Sequence, residues 1–198
     1  MSKELLIIFT KNPELGKVKT RLAKSIGDKA ALNIYKKLLF TTEKATSTLD
    51  VKRHIYASPS VLKHYWSTDH HTLQTGTDLG ERMLNAFKNG FEEGFDKIVL
   101  IGSDLPEISE GLVTEAFKQL QVNDVVFGPS IDGGYYLIGL STLHAYIFKN
   151  KPWSTPQLLN KTLTELHHKN VTVSIMQTLN DIDTFEDLKQ YPDYLKFI

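Results

Sequence analysis

The chain is 198 residues long, 41% hydrophobic and 23% charged, which fits one globular domain with a sizeable core. Its 23 basic and 23 acidic residues cancel, which argues against a dedicated nucleic-acid binder. It has no cysteine, which excludes disulfides, thiolate catalysis and Cys-ligated zinc.

The first apolar run, Leu5 to Phe9, is too short for a signal peptide or a membrane span. It reads instead as a strand buried on both faces, and a cytoplasmic location is expected. Residues 28–48 read as a helix, with Ala31, Tyr35, Leu38 and Thr42 at helical steps and Asp28 as N-cap. A strand over Val51 to Ala57, a short helix over Pro59 to Trp66 and a helix over Asp78 to Glu93 follow. Lys97 to Ile101 is the next strand, and Glu110 to Leu120 a helix capped by Ser109. Asp124 to Phe127 and Tyr135 to Leu140 read as strands around a turn at Ser130–Gly134. Gln157 to Lys169 is helical, Val171 to Met176 extended, and Thr184 onward helical. The alternation predicts an α/β fold with a three-layer, mostly parallel sheet spanning residues 1–198, and ligands at the carboxyl ends of its strands.

The polar residues that follow the apolar runs are therefore the candidates. After the first strand, residues 11–22 form a Pro/Gly loop and a helix start carrying Lys11, Lys17, Lys19 and Arg21. Such a loop suits a di- or triphosphate, through backbone N–H groups and the four cations, though a solvated basic turn has the same look. A P-loop is ruled out, because its first glycine would fall at Lys11 and its Ser/Thr at Val18. Gly102-Ser103-Asp104 closes the strand KIVLI, where Gly102 admits close backbone approach and Asp104 suits Mg²⁺ or Mn²⁺; the other role, capping the next helix from an Asp-Pro turn, is better filled by Ser109. Asp132-Gly133-Gly134-Tyr135 is a hairpin signal, and equally a backbone loop beside a sugar or acceptor with Asp132 and Tyr135 as contacts. Asp181 and Asp183 precede the last helix, where capping through Asp183 or Thr184 is the usual role and completion of a metal site the other. Asp78 and Arg82 stand at a helix start between Gly76 and Gly80. Trp153 is a loop aromatic that either stacks on a ligand or anchors the loop. The seven histidines show no metal or triad spacing, and His70-His71 and His167-His168 read as exposed pairs.

Taken in order, these segments resemble the nucleotide-diphospho-sugar transferase superfamily, the glycosyltransferase-A fold. They are most similar to a bacterial family of small glycosyltransferase-A-like proteins, some associated with arsenosugar biosynthesis. The likeness rests on Lys11, Pro13, Gly16, Lys19, Thr20, Arg21 and Leu22, on residues 78–83, on Gly102-Ser103-Asp104-x-Pro106, on residues 132–136 and 153–155, and on Asp181-x-Asp183-Thr184. Phospholactate and molybdenum-cofactor guanylyltransferases are similar in the opening loop, the metal aspartate and the late Asp-Thr. The resemblance implies Asp104 as principal metal ligand, Asp183 as second, and Lys19 and Arg21 as phosphate contacts. Two departures are visible: Gly16 is the loop's only glycine, and the strand-end Asp-x-Asp is reduced to Ser103-Asp104-Leu105.

Three functions are compatible. The leading expectation is a metal-assisted glycosyltransferase-like enzyme, with a nucleotide sugar and a small-molecule acceptor as partners. A nucleotidyltransferase would use the same groups on a nucleoside triphosphate and release pyrophosphate. A non-catalytic nucleotide-binding module would bind without product.

Overall fold

The run Leu5 to Phe9 is apolar at every position because both of its faces are covered. In the computed structural model, which describes residues 3–198, β1 (Glu4–Lys11) lies inside a seven-stranded sheet and Leu5 to Ile8 are fully buried. A loop leads from β1 to α1 (Thr20–Ile26) and then α2 (Asp28–Thr46). The chain continues through β2 (Lys52–Ser58), β3 (His70–Leu73), α3 (Leu79–Glu92), β4 (Lys97–Ile101) and α4 (Glu110–Gln119). The hairpin β5 (Val125–Pro129) and β6 (Tyr135–Leu140) precedes α5 (Leu158–His168), β7 (Val173–Ile175), α6 (Phe185–Lys189) and α7 (Pro192–Leu195).

The strand order is β3-β2-β1-β4-β6-β5-β7. Only β6 runs antiparallel to its neighbours, β4 and β5, so the sheet is mostly parallel as expected. Alternate residues of each strand face opposite layers. Leu6, Ile8, Val99 and Ile101 pack against Tyr35 and Leu39 of α2 and against α4. Leu5, Ile7, Ile98 and Leu100 pack against Met83 and Phe87 of α3 and against α5. A third cluster joins Leu22 of α1 and Ile34 and Leu38 of α2 to Ile182, Leu188 and Tyr194. That cluster carries the end of the chain back beside the opening loop. Among the described residues, no helix is long and apolar enough to cross a membrane.

Three local expectations are corrected. Residues 59–66 form bends and irregular chain in place of a helix. Leu62 and Trp66 give the spacing of a helical face, but Trp66 has φ +49° and its indole N–H donates to Thr46 Oγ1 at 3.0 Å, which pins an irregular crossing. Asp28 is the first residue of α2 and not its cap; Gly27, at φ +82°, stands there. His70 and His71 belong to an edge strand, and His71 turns its Nε2 to the Trp66 carbonyl at 2.8 Å, so only His70 is exposed.

Candidate active site

Because β1 and β4 are parallel neighbours, their carboxyl ends lie side by side. The antiparallel β6 starts at the same edge, where Gly102 N donates to the Tyr136 carbonyl at 3.3 Å. The opening loop folds on itself through Glu14 N to Asn12 O and Lys17 N to Glu14 O, at 2.8 and 3.1 Å. Those N–H groups are thus occupied, and what the loop offers a phosphate is mainly its cations. Lys19 ends it in the left-handed region, φ 47° and ψ 43°, without capping α1. Its side chain, 4% exposed, turns inward to the strand edge, with Nζ 3.0 Å from Asp104 Oδ2 and 3.4 Å from Asp183 Oδ1.

Asp104 is free for that contact because Ser109 caps α4, its hydroxyl accepting from Leu112 N at 3.2 Å. The strand ends are held by Tyr35, whose hydroxyl donates to Lys11 O at 3.0 Å and accepts from Lys11 N at 2.9 Å. It also lies 3.2 Å from Thr10 Oγ1 and 3.4 Å from Ser103 Oγ. In the sequence Tyr35 is only one apolar-face position of a helix, and nothing there signals this role. Gln74 does similar work, its side-chain amide Nε2 donating to the carbonyls of Thr10 and Tyr56 at 3.0 and 2.9 Å.

The late acidic segment divides its tasks. Thr184 caps α6 in a reciprocal box with Asp187, which leaves Asp183 to face Lys19 and to take Arg21 Nη1 at 3.2 Å. Asp181 completes the group. Burial, then the charges of Asp104 and Asp183, outweigh Lys19 and push its carboxyl up to about 6. Its contribution to stability is therefore full below the ordinary value of 3.8 and is lost as pH rises through about 6. Asp181→Asn should raise the melting temperature at pH 8 by roughly 2–4 °C and leave it unchanged at pH 4, as thermal melts at both values would show. Among the described residues, no group of three or more His, Asp or Glu side chains is arranged to hold a metal ion. Asp104 and Asp183 are instead bridged by Lys19.

Two cavities open on either side of Asp104. One, about 290 Å³, lies under the opening loop and includes Lys11, Lys19, Ser103 and Asp183 in its lining. The other, about 240 Å³, is walled by Met83, Tyr135, Tyr136, Trp153 and Leu158 and bordered by Asp132 and Asp181. Phe9, Leu79, Gly102 and Asp104 line both. Of the residues singled out in the sequence, Pro13, Gly16, Lys17, Thr20, Arg21 and Gly133 line neither, although Arg21 reaches the site through Asp183. Asp78 caps α3, accepting from Glu81 N at 2.8 Å, and Arg82 donates to the Gly76 carbonyl at 3.1 Å. Neither is brought to a cavity wall.

Trp153 is positioned by two glycines. A Cβ on Gly80 would lie 2.6 Å from Trp153 Cζ2 and would strike the Phe148 carbonyl. Gly133, at φ +87°, lies against Pro156, and its carbonyl accepts from Leu159 N at 3.1 Å. The Trp153 ring meets Tyr135 edge-on with centroids 6.5 Å apart. The Tyr135 hydroxyl is buried without a partner, and burial drives its pKa far up. Gly80→Ala should cost about 1–3 kcal/mol in denaturant unfolding and expose Trp153 to acrylamide quenching.

Comparison with known proteins agrees with this architecture. A family model described as "Uncharacterized protein conserved in bacteria (DUF2064)" matches residues 41–155. A solved structure from Desulfovibrio desulfuricans G20, described as a "putative nucleotide-diphospho-sugar transferase", superposes with a TM-score of 0.92 at 32% identity. That match covers 98% of this chain and 88% of the other. A 2-phospho-L-lactate guanylyltransferase from Methanocaldococcus sp. (strain FS406-22) is 26% identical over 178 residues, 88% of this chain and 75% of that protein. The 4-diphosphocytidyl-2C-methyl-D-erythritol synthase of Anaerococcus prevotii DSM 20548 shares the fold at a TM-score of 0.62 and 12% identity, over 98% of this chain and 100% of that one. The fold is that of the nucleotide-diphospho-sugar transferases.

Proposed function

The chain belongs to the DUF2064 family of bacterial proteins, and on that footing we propose that it is a transferase acting on a nucleotide-diphosphate sugar. One observation carries the reading: two cavities meet at Asp104, and the cationic side chains lie on one side of it only. The donor's diphosphate belongs beside Lys11 and Lys19, with Arg21 nearby, and the acceptor belongs against Trp153 and Tyr135. In the reaction an acceptor hydroxyl oxygen bonds to the anomeric carbon. The bond from that carbon to the diphosphate oxygen breaks, and a nucleoside diphosphate leaves. The hydroxyl proton passes to a carboxylate at the acceptor cavity; Asp132, held by Ser130 and the N–H of Gly134, lies outside the Lys19 cluster. Lys19 and its neighbours stabilise the charge that grows on the departing diphosphate.

The donor set fits Mg²⁺ or Mn²⁺, which take one or two carboxylates together with phosphate oxygens. Asp104 and Asp183 would hold the ion, and it would add charge neutralisation at the leaving group. The same carboxylates pair with Lys19, which keeps three acids and a diphosphate compatible in one site.

Binding tests the donor side. Arg21→Ala should weaken nucleoside diphosphates several-fold more than the matching nucleosides in calorimetry, with a loss that shrinks at high salt. Equal losses for diphosphate and nucleoside would contradict a phosphate site there. The guanylyltransferase relative supports a second reading. In it the site holds a nucleoside triphosphate, an acceptor phosphate oxygen attacks the α-phosphorus, and pyrophosphate leaves.

A further inference from the structure

The cavity beside Trp153 has a one-sided chemistry. Among the described residues, no lysine, arginine or histidine lines it, whereas Asp104, Asp132 and Asp181 all border it. Lys19 lines only the other cavity and is held between Asp104 and Asp183, and two further cations are engaged elsewhere. Arg82 is held on the Gly76 carbonyl, and the buried Lys151 pairs with Glu165. Two backbone donors of the wall are also taken, Gly134 N by Asp132 and Leu158 N by the Thr155 carbonyl. The strongest recognition of an anion comes from a guanidinium or an ammonium, and among the described residues this wall offers neither. A divalent ion on Asp104 would not change the balance, because the donor's diphosphate cancels its charge.

The rest of the wall is apolar and aromatic. Phe9, Met83, Tyr135, Tyr136, Trp153 and Leu158 enclose a volume of about 240 Å³. Leu79, in the lining, is 47% exposed. Exposed aliphatic side chains at the mouth of a cavity favour a ligand that covers them.

We propose that the acceptor is an uncharged hydroxyl compound with a small apolar or aromatic body, and that the cavity rejects phosphate- and carboxylate-bearing acceptors. This rests on the reading of the Trp153 cavity as the acceptor side of a sugar-transfer site. The hydroxyl lies toward Asp132 and Asp104 and the apolar body against Trp153 and Leu158. A phosphate monoester would bring at least one more negative charge beside three carboxylates, and the one cation near them, Lys19, is already paired with Asp104 and Asp183 outside the lining.

A matched pair of probes tests this on the unaltered protein. Benzyl alcohol and benzyl phosphate are titrated separately into ¹⁵N-labelled protein, and the Trp153 indole N–H is followed. The expected result is that benzyl alcohol shifts it and that benzyl phosphate binds at least about tenfold more weakly, with Asp132→Lys narrowing or reversing the gap. Equal or tighter binding of the phosphate, or no shift from either probe, would overturn the proposal. A parallel titration with nucleoside diphosphates, read at the amides of Lys11 and Lys19, reports on the donor side separately. Failure there with the benzyl alcohol response intact would count against the sugar-transfer reading and not against the selectivity of the cavity.

Discussion

Asp104→Asn is expected to lower turnover by at least about a hundredfold while the protein still folds. Asparagine keeps the shape of the side chain and removes its charge. Lys19 retains Asp183 at 3.4 Å, so its ammonium is not left unpaired. Burial acting alone would raise the Asp104 carboxyl, but the charge and hydrogen bond of Lys19 hold it below the usual carboxylate range. Its stabilising contribution is thus present above about pH 4 and is lost as pH falls through the lowered value. The Lys19 ammonium, which burial would depress, is held above its ordinary value by Asp104 first and then Asp183, so its contribution persists until pH rises beyond the lysine range. Above the value of about 6 at Asp181, which the charge of Asp104 helps to raise, the pair is constant, and the variant's defect should show no pH dependence from roughly pH 7.5 to 9. Calorimetry with Mg²⁺ or Mn²⁺ should show greatly weakened diphosphate binding, and unchanged affinity would remove Asp104 from the metal site.

Lys19→Met should have the larger effect on stability. Methionine is similarly long and unbranched and meets the same left-handed backbone strain at φ 47°, so the change isolates the charge. It leaves Asp104, Asp181 and Asp183 together without their central cation. Removing one partner of a buried pair costs on the order of 3–5 kcal/mol, and the 41% and 40% exposure of Asp104 and Asp183 places this case near the lower end. The loss should shrink at pH 4, where the carboxylates begin to protonate, and turnover should fall with it at neutral pH. Denaturant unfolding at both pH values is the check. Unaltered stability at pH 7.5 would mean that water and salt, and not Lys19, balance the three acids.

Much of the fold is legible because strands buried on both faces appear as uninterrupted apolar runs. Leu5–Phe9 and Lys97–Ile101 are of that kind, and their ends mark the site. The strand His70–Leu73 escapes because, at the sheet's edge, none of its residues is fully buried and three of its four side chains are polar. The helix expected at 59–66 fails because Leu62 and Trp66 have helical spacing while anchoring an irregular crossing onto α2. The opening loop and Asp104 announce themselves by position. Asp183 does not, since a carboxylate before a helix reads as a cap until Thr184 is seen to fill that role and the Leu22–Ile182 cluster brings it across to Lys19. Arg82 illustrates the converse: it sits in a motif, yet its guanidinium secures the turn at Gly76. The division into a cationic and a cation-free cavity is a property of packing, and no local spacing encodes it.

The central claim is that a sugar, and not a nucleotidyl group, moves. Phosphorus NMR of the protein with Mg²⁺, a panel of nucleotide sugars and nucleoside triphosphates, and neutral and phosphorylated acceptors tests it most directly. The account predicts acceptor-dependent release of a nucleoside diphosphate from a nucleotide sugar, abolished in Asp104→Asn. Acceptor-dependent release of pyrophosphate from a triphosphate, abolished by the same substitution, would contradict it and establish nucleotidyl transfer.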